Sequence, residues 1–293
     1  MELNRKVEKT LTKEQKVKFQ RDNGKFKILN NIVILPVITV ILGIYLESII
    51  IVSISIICII AFLVCKAFSF SRKNVIFEEV IIPTVLKENF ENISYIDDSI
   101  AVEEDFKKSN IIPNYDKFMV EKSYVIKKEK YRIYLSTVVA KKLNIEESDG
   151  VVDKDLEEKF NGIFISTKLP VKSTTNFKAI DKRLNSIEEN KVKITSYDFD
   201  SEYDVYSEKQ VEVRGILSAG IMARIIEFNS KANNIISFSI QDDNLYIAIS
   251  EKDFLNFNGK GRLYVDEEKA KKDLELLNII DMFITYFVNM FEK

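Results

Sequence analysis

Residues 28–46, ILNNIVILPVITVILGIYL, and residues 48–65, SIIIVSISIICIIAFLVC, contain no charged side chain, and Glu47 alone separates them. Each run is 18–19 residues long, close to the roughly 20 that a helix needs to cross a bilayer core. One straight helix over 28–68 would extend about 60 Å at 1.5 Å per residue, about twice that thickness. The pattern therefore predicts an N-terminal two-helix transmembrane hairpin, with spans at about 28–46 and 48–68 and a tight turn that leaves the Glu47 carboxylate in water. Lipid offers the backbone no hydrogen-bonding partner, so helix is required despite the many β-branched residues. Pro36 and Gly43 fall in the first span, and both are commoner in membrane helices than in soluble ones. Two such runs in tandem are rare in a soluble core. A cleaved leader would have a shorter basic region and a small-residue cleavage site.

Charge on either side orients the hairpin. Residues 1–27 carry nine Lys/Arg against four acids, and Lys66, Arg72 and Lys73 follow the second run. Lysine and arginine concentrate on the cytoplasmic side, so both termini are expected there, in a multi-pass protein of the cell membrane. The basic arm, 1–27, has two readings: a topology signal, or a segment drawn to anionic lipid. Thr12 with Gln15 makes a capping-box pattern for a helix over 13–22.

The remainder, 69–293, holds 33 basic and 40 acidic residues, and the whole chain sums to −2. Nucleic acid is a poor match for that balance. The 293 residues include no histidine and two cysteines, Cys58 and Cys65, both in the second apolar run. That excludes a Ser-His-Asp triad, a histidine-ligated metal, a four-cysteine zinc site and a disulfide framework.

The soluble region is expected to be an α+β cytoplasmic domain, a mixed or antiparallel sheet with packed helices. Residues 74–90 suggest a helix interrupted near Pro83, and 100–108 a second helix after a loop at Asp97-Asp98. Alternation over 117–139, around the Lys-Lys-Glu-Lys at 127–130, predicts a hairpin, and 160–169 a further strand. Around 170–190 the chain turns polar, a possible boundary between two subdomains. A short strand at 201–206 precedes a helix from Glu208, with Ser207 and Gln210 as a capping box, and a helix capped by Ser218. IISFSI (235–240) and LYIAIS (245–250) flank Asp242-Asp243-Asn244 as a second hairpin. The last helix, about 267–291, carries a narrow polar stripe of Glu275, Asn278, Asp281, Thr285 and Asn289. Its wide apolar face is expected on the domain's own sheet, or else on a partner or the membrane surface.

The candidate chemistry is acidic. Asp198 and Asp200, followed by Glu202 and Asp204, are spaced so that on a strand both carboxylates face one side and share a divalent cation. The alternative is a solvated acidic strand entry. Asp97-Asp98 and Glu103-Glu104-Asp105 read as a loop and an exposed helical turn, and Asp242-Asp243 as hairpin-turn chemistry.

Taken together, SNIIPNYDKFMVEKSYVI (109–126), FNGIFIS (160–166), EYDVYSEKQVEVRGILSAGIMARIIEF (202–228) and ISFSIQDDNLYIAIS (236–250) resemble a bacterial family of membrane proteins, the domain of unknown function 3137, some of whose members are labelled galanin. The likeness is collinear from about 75 to 255. It departs at Ser123 and Lys127, around which members commonly carry an acidic residue and a glycine. The resemblance implies two transmembrane helices ahead of the soluble part and an envelope-associated partner of the LemA type. It transfers no catalytic residue and implies no cofactor. The expected function is a membrane-anchored, non-enzymatic protein-binding or scaffolding module, with a homo-oligomer as one form of it; the alternative is a membrane-tethered, metal-dependent enzyme using Asp198 and Asp200.

Overall fold

The computed structural model describes residues 2–10, 34–46, 49–148, 151–184, 190–256 and 265–292. The expected helix over 13–22, the first part of the first apolar run (28–33) and the Glu47 turn lie outside these residues. The chain forms two compact units, 1–85 with 257–270, and 86–256 with 271–293.

In the first unit, helix α1 (Glu2–Thr10) is tied down by Asn4. The Asn4 Nδ2 donates to the Val265 carbonyl (3.1 Å) and its Oδ1 accepts from the Val265 N–H (2.8 Å). Nδ2 also donates to Glu267 Oε1 (2.9 Å). Helices α2 (Ile34–Tyr45) and α3 (Ile49–Ile76) form an antiparallel hairpin. Its polar seam is Ser55, whose Oγ donates to the Ile51 carbonyl (2.8 Å) and pairs with Thr39 Oγ1 across the hairpin (2.9 Å). Ile41, Ile44, Ile57 and Ile60 are exposed, and Ile49 is 82 % exposed. A π-helical turn, Phe77–Ile81, leads from α3 into α4 (Ile82–Leu86). Pro83 has no N–H to return to the preceding turn and its ring crowds the carbonyl four residues back, which a widened turn accommodates.

The second unit is α+β. It contains β1 (Ile93–Tyr95), α5 (Ser99–Ser109), β2 (Lys117–Lys127), β3 (Arg132–Ser148), β4 (Val151–Lys168), β5 (Phe177–Asp181), α6 (Tyr197–Glu202), β6 (Tyr203–Tyr206), α7 (Gln210–Ile216), α8 (Ala219–Ala232), β7 (Ile235–Gln241), β8 (Asn244–Ser250) and most of α9 (Glu267–Phe291). The strands form one antiparallel sheet in the order β1-β2-β3-β4-β8-β7-β5-β6. The polar stretch around 170–190 thus leads into β5 of the same sheet. Both expected hairpins are present. Lys128 N–H bonds the Tyr131 carbonyl (2.9 Å) at the first turn, and Asp242 adopts the left-handed φ of 57° at the second, which Asp tolerates.

Helix α5 begins where Asp98 caps it, its carboxylate accepting from the Ala101 N–H (3.1 Å). It lays Val102 and Phe106 on one sheet face, where the Phe106 ring meets those of Phe118, Phe160 and Phe164 at 4.8–5.9 Å. The other face takes α8 and α9. Phe238 of β7 meets Phe283 (5.6 Å) and Phe287 (5.5 Å) of α9, and Phe228 of α8 meets Phe283 (5.4 Å). The apolar face of the last helix therefore packs on its own sheet. Its polar stripe is bonded too: Asp281 to Lys128 (2.8 Å), Thr285 to Tyr131 (2.9 Å) and Asn278 to Asn89 (3.0 Å).

Among the described residues, α9 is the one helix long and apolar enough to cross a membrane by length and composition, and Ile49–Ala61 of α3 is a shorter apolar stretch. Soluble core helices pass the same length test, and α9 buries Leu277, Ile284, Phe287 and Val288 within the domain.

The sequence does not announce the length of the third hairpin. After a one-residue register shift between Ala140 and Lys141, β3 and β4 stay paired out to Ser148↔Val151. Past Lys141 on β3 and ahead of Ile163 on β4, no described strand pairs their outer edges. The two therefore continue as a two-stranded ribbon beyond the sheet.

Candidate functional site

Strand β5 is short and wholly buried, and a cleft opens at each of its ends. The cleft at the Phe177 end has a volume of about 460 Å³ and a mainly polar wall that includes Lys172, Ser173, Lys178, Ser207, Lys209 and Asp242. Lys178 forms its floor. Only 4 % of it is exposed, because strand alternation turns it toward the α5 side of the sheet. There its Nζ donates to the carbonyl of Asn110 (2.7 Å) and lies 5.7 Å from the centre of the Tyr206 ring. Asn110 is the left-handed C-cap of α5, φ 49°, so the ammonium sits against the negative end of that helix.

The remaining groups hold one another. Lys172 forms a 2.8 Å ion pair with Asp242, which pushes its pKa up, first through the hydrogen bond and then through the charge. Ser207 Oγ donates to the Asn176 carbonyl (2.7 Å) and accepts from the Lys209 N–H (3.2 Å). That use of Ser207 replaces the expected capping box with Gln210; the helix begins at Gln210, after Lys209. Three lysines against Glu208 and Asp242 leave this cleft with a surplus of positive charge and a wall of hydroxyls.

The acidic run lies past the other end of β5, and its local structure differs from the expected strand. Asp198 and Asp200 belong to α6, a helix of six residues whose buried anchor is Phe199. On a helix, residues two apart lie about 200° apart around the axis, so the spacing that would pair them on a strand separates them here. Lys182 Nζ donates to the Asp200 carbonyl and lies 3.6 Å from Asp204 Oδ1, and Lys191 lies 2.7 Å from the same oxygen. The Lys191 pKa is pushed up, chiefly by its hydrogen bond to Asp204. Among the described residues no group of three or more His, Cys, Asp or Glu is arranged to hold a metal ion. Asp98 serves as a helix cap, and Glu103 pairs with Lys107 one turn on (2.7 Å).

One feature of this region carried no sequence signal. Asp181, 1 % exposed, receives Arg183 Nε (2.8 Å) and Nη2 (2.5 Å) in a bidentate pair. The hydrogen bonds to Asp181 push the arginine's pKa up. A D-K-R triplet at a strand end does not reveal which cation turns back onto the carboxylate.

No match is found among the curated proteins or among the solved structures. Residues 151–287, from β4 through most of α9 and including all of β5, match the family model described as Protein of unknown function (DUF3137), the family that the sequence resembles.

Proposed function

We propose that this chain is a membrane-anchored module that binds another envelope or membrane protein, held by a two-span N-terminal hairpin with both termini in the cytoplasm. One observation carries the anchor: α2 and α3 pair through Ser55 and Thr39 while isoleucines along both helices stay exposed. Water tolerates isolated apolar side chains but not long apolar faces of this kind, whereas in lipid such a face costs nothing and the paired hydroxyls belong between the helices. The charge-free runs at 28–46 and 48–65 and the basic flanks supply span length and orientation.

The β3–β4 ribbon supports the binding part of this reading. Seven residue pairs past Lys141 make it about 24 Å long at 3.4 Å per residue. Its outer edges offer backbone donors and acceptors of the kind that a partner strand takes up.

The test is to separate membranes from supernatant without detergent, and to crosslink the full chain in native membranes. Recovery in the membrane fraction, with a partner in fixed stoichiometry that is lost when residues 142–157 are excised, is expected. A chain that stays in the supernatant, or a solitary monomer in the membrane, contradicts the proposal.

A further inference from the structure

Phe106 packs α5 onto the rings of Phe118, Phe160 and Phe164. Toward the start of the helix this packing opens into a cavity of about 280 Å³. Its walls are α5, with Asp98, Val102 and Asp105, and the sheet, with Tyr134, Phe164 and Ser166. The spacings explain both sets. Positions 98, 102 and 105 follow one face of a helix. Tyr134 pairs with Ser166 across β3 and β4, and Phe164 precedes Ser166 by two, so the three side chains stand on one face of the sheet.

Two independent observations point to a ligand. The first is charge. No lysine or arginine lines the cavity, and neither of its carboxylates has an ion-pair partner among the described residues. The lysines of α5 are turned to its other acids, Lys107 to Glu103 (2.7 Å) and Lys108 to Glu104 (4.0 Å). Asp98 uses Oδ1 to cap the helix, where the helix dipole favours a negative charge. Asp105 lies in mid-helix, without that support. Its charge reaches inward: after burial, it is the next cause that raises the pKa of Tyr246 on β8. The second observation is Ser166. It is 6 % exposed, and its hydroxyl, on the cavity wall, makes no hydrogen bond among the described residues. Ser136 on the same face has a partner, the Ser123 hydroxyl at 2.7 Å. A buried hydroxyl without one is uncommon in a folded protein.

We propose that this cavity binds a protonated amine with a compact apolar body. The ammonium donates to the Asp105 carboxylate, and the body lies against Val102, Phe164 and Tyr134. Ser166 completes the site, since a hydroxyl both donates and accepts. An anion would meet two carboxylates and no cation. A neutral apolar molecule would cover the walls and leave Asp105 unmatched. A divalent cation calls for about six oxygen ligands, and among the described residues no group of three or more acids is arranged to hold one. The volume is near the lower end of the range for small-molecule sites, which limits the body to about one ring. The proposal goes beyond the membrane-anchored reading and does not depend on it. Tyr134, Phe164 and Ser166 belong to the parts of β3 and β4 held within the sheet, not to the ribbon.

The experiment is a titration of the full chain in nonionic detergent micelles, selectively labelled with ¹⁵N-serine, with benzylammonium chloride, benzyl alcohol and sodium benzoate as separate probes. The reporter is the backbone amide signal of Ser166, with that of Ser201 as the distant reference; Ser166→Ala and Ser201→Ala assign them. Benzylammonium is expected to move Ser166 saturably and to leave Ser201 in place. Benzyl alcohol and benzoate should bind at least about tenfold more weakly, as should benzylammonium to Asp105→Asn, the loss that follows removal of a hydrogen bond to a charged group. An equal response to benzyl alcohol, which makes the cavity merely apolar, overturns the proposal, as does an equal response to benzoate. So does a benzylammonium titration that Asp105→Asn leaves unchanged, equal movement of Ser201, or a Ser166 signal that no probe moves saturably. Because the first comparison is made on the unaltered chain, the result stands even if Asp105→Asn does not fold.

Discussion

Gly162 on β4 lies so close to β8 that a Cβ on it would sit 2.1 Å from the carbonyl oxygen of Ile249 and 2.9 Å from the Glu251 nitrogen. Both obstacles are backbone, so neither yields by changing rotamer. A glycine inside a strand marks such a close approach, and this one holds together the junction between the ribbon-bearing strand and the second hairpin. Gly162→Ala is expected to destabilise the domain by about 3 kcal/mol, the upper part of the range for overpacking, as measured by chemical denaturation. A loss below about 0.5 kcal/mol would mean that β4 and β8 slide apart freely.

The Asp181–Arg183 pair makes a prediction about order. Removing Arg183 alone leaves a buried carboxylate without its counter-charge, whereas removing both charges does not. Arg183→Ala is expected to cost about 2 kcal/mol, discounted because the guanidinium is half exposed. The double variant Asp181→Asn/Arg183→Ala should recover part of that loss. If the double variant is less stable than Arg183→Ala, the carboxylate has another stabilising role.

Buried tyrosines set the alkaline limit. Burial, and secondarily the charge of Glu103, pushes Tyr115 up to about 12, and burial raises Tyr203 and Tyr246 further. Between pH 10 and 12 the unfolded chain has lost these protons while the folded one keeps them, so the folded state binds more protons and stability falls as pH rises. Denaturation midpoints should drop across this window, and less steeply in Tyr115→Phe. Because the Tyr115 hydroxyl is buried without a partner, that variant should be no less stable at pH 7. A stability curve flat from pH 9 to 12 would refute the assignment.

These residues also mark how far the sequence could be read. The hairpins at 117–139 and 235–250 are legible because one face of each is apolar at period two. α5 is legible because Asp98 precedes an amphipathic run. The outer ribbon is not. Lys142 faces Glu157 and Asn144 faces Asp155 across it, so polar pairs hide its strand pattern. The acidic run misleads for a different reason: its i, i+2 spacing pairs the carboxylates only on a strand, and tertiary packing of Phe199 decides that 197–202 is a helix ahead of β6. The cavity beside α5 is invisible in one dimension. Asp105 and Ser166 lie on opposite walls of it and far apart in the chain, and nothing about either residue type announces that they share a space.

The ribbon's ion pairs make it sensitive to acid. Glu157 is held below the usual carboxylate range, first by hydrogen bonds from Lys159 and then from Asn144, and Glu158 by those from Lys252 and Asn161. Their contribution is complete above the ordinary glutamate pKa and is lost as pH falls through the lowered values. Amide exchange in residues 142–157 should therefore accelerate, relative to the core of the sheet, below about pH 4.3. Uniform acceleration across β3 and β8 would show that the ribbon does not open separately.

Two helices compete as the hydrophobic face that meets lipid, and single charges separate them. Ile57 of α3 is exposed and Phe287 of α9 is fully buried. If α3 is the membrane element, Ile57→Asp places a carboxylate in hydrocarbon, at about 3 kcal/mol near the bilayer centre, and lowers the membrane-bound fraction while β5–β8 keep their amide protection. Phe287→Asp should do the reverse. It removes a ring packed on Phe238 and Phe283 and buries an unpaired charge, so it should unfold the sheet and leave the chain in the membrane. The opposite outcome, with Phe287→Asp releasing a folded chain and Ile57→Asp doing nothing, would make the last helix the anchor. The packing of α9 on the sheet would then have to open on insertion. That exchange is unfavourable as the domain stands: it would uncover Phe238, and with it the core that α8 and α9 share.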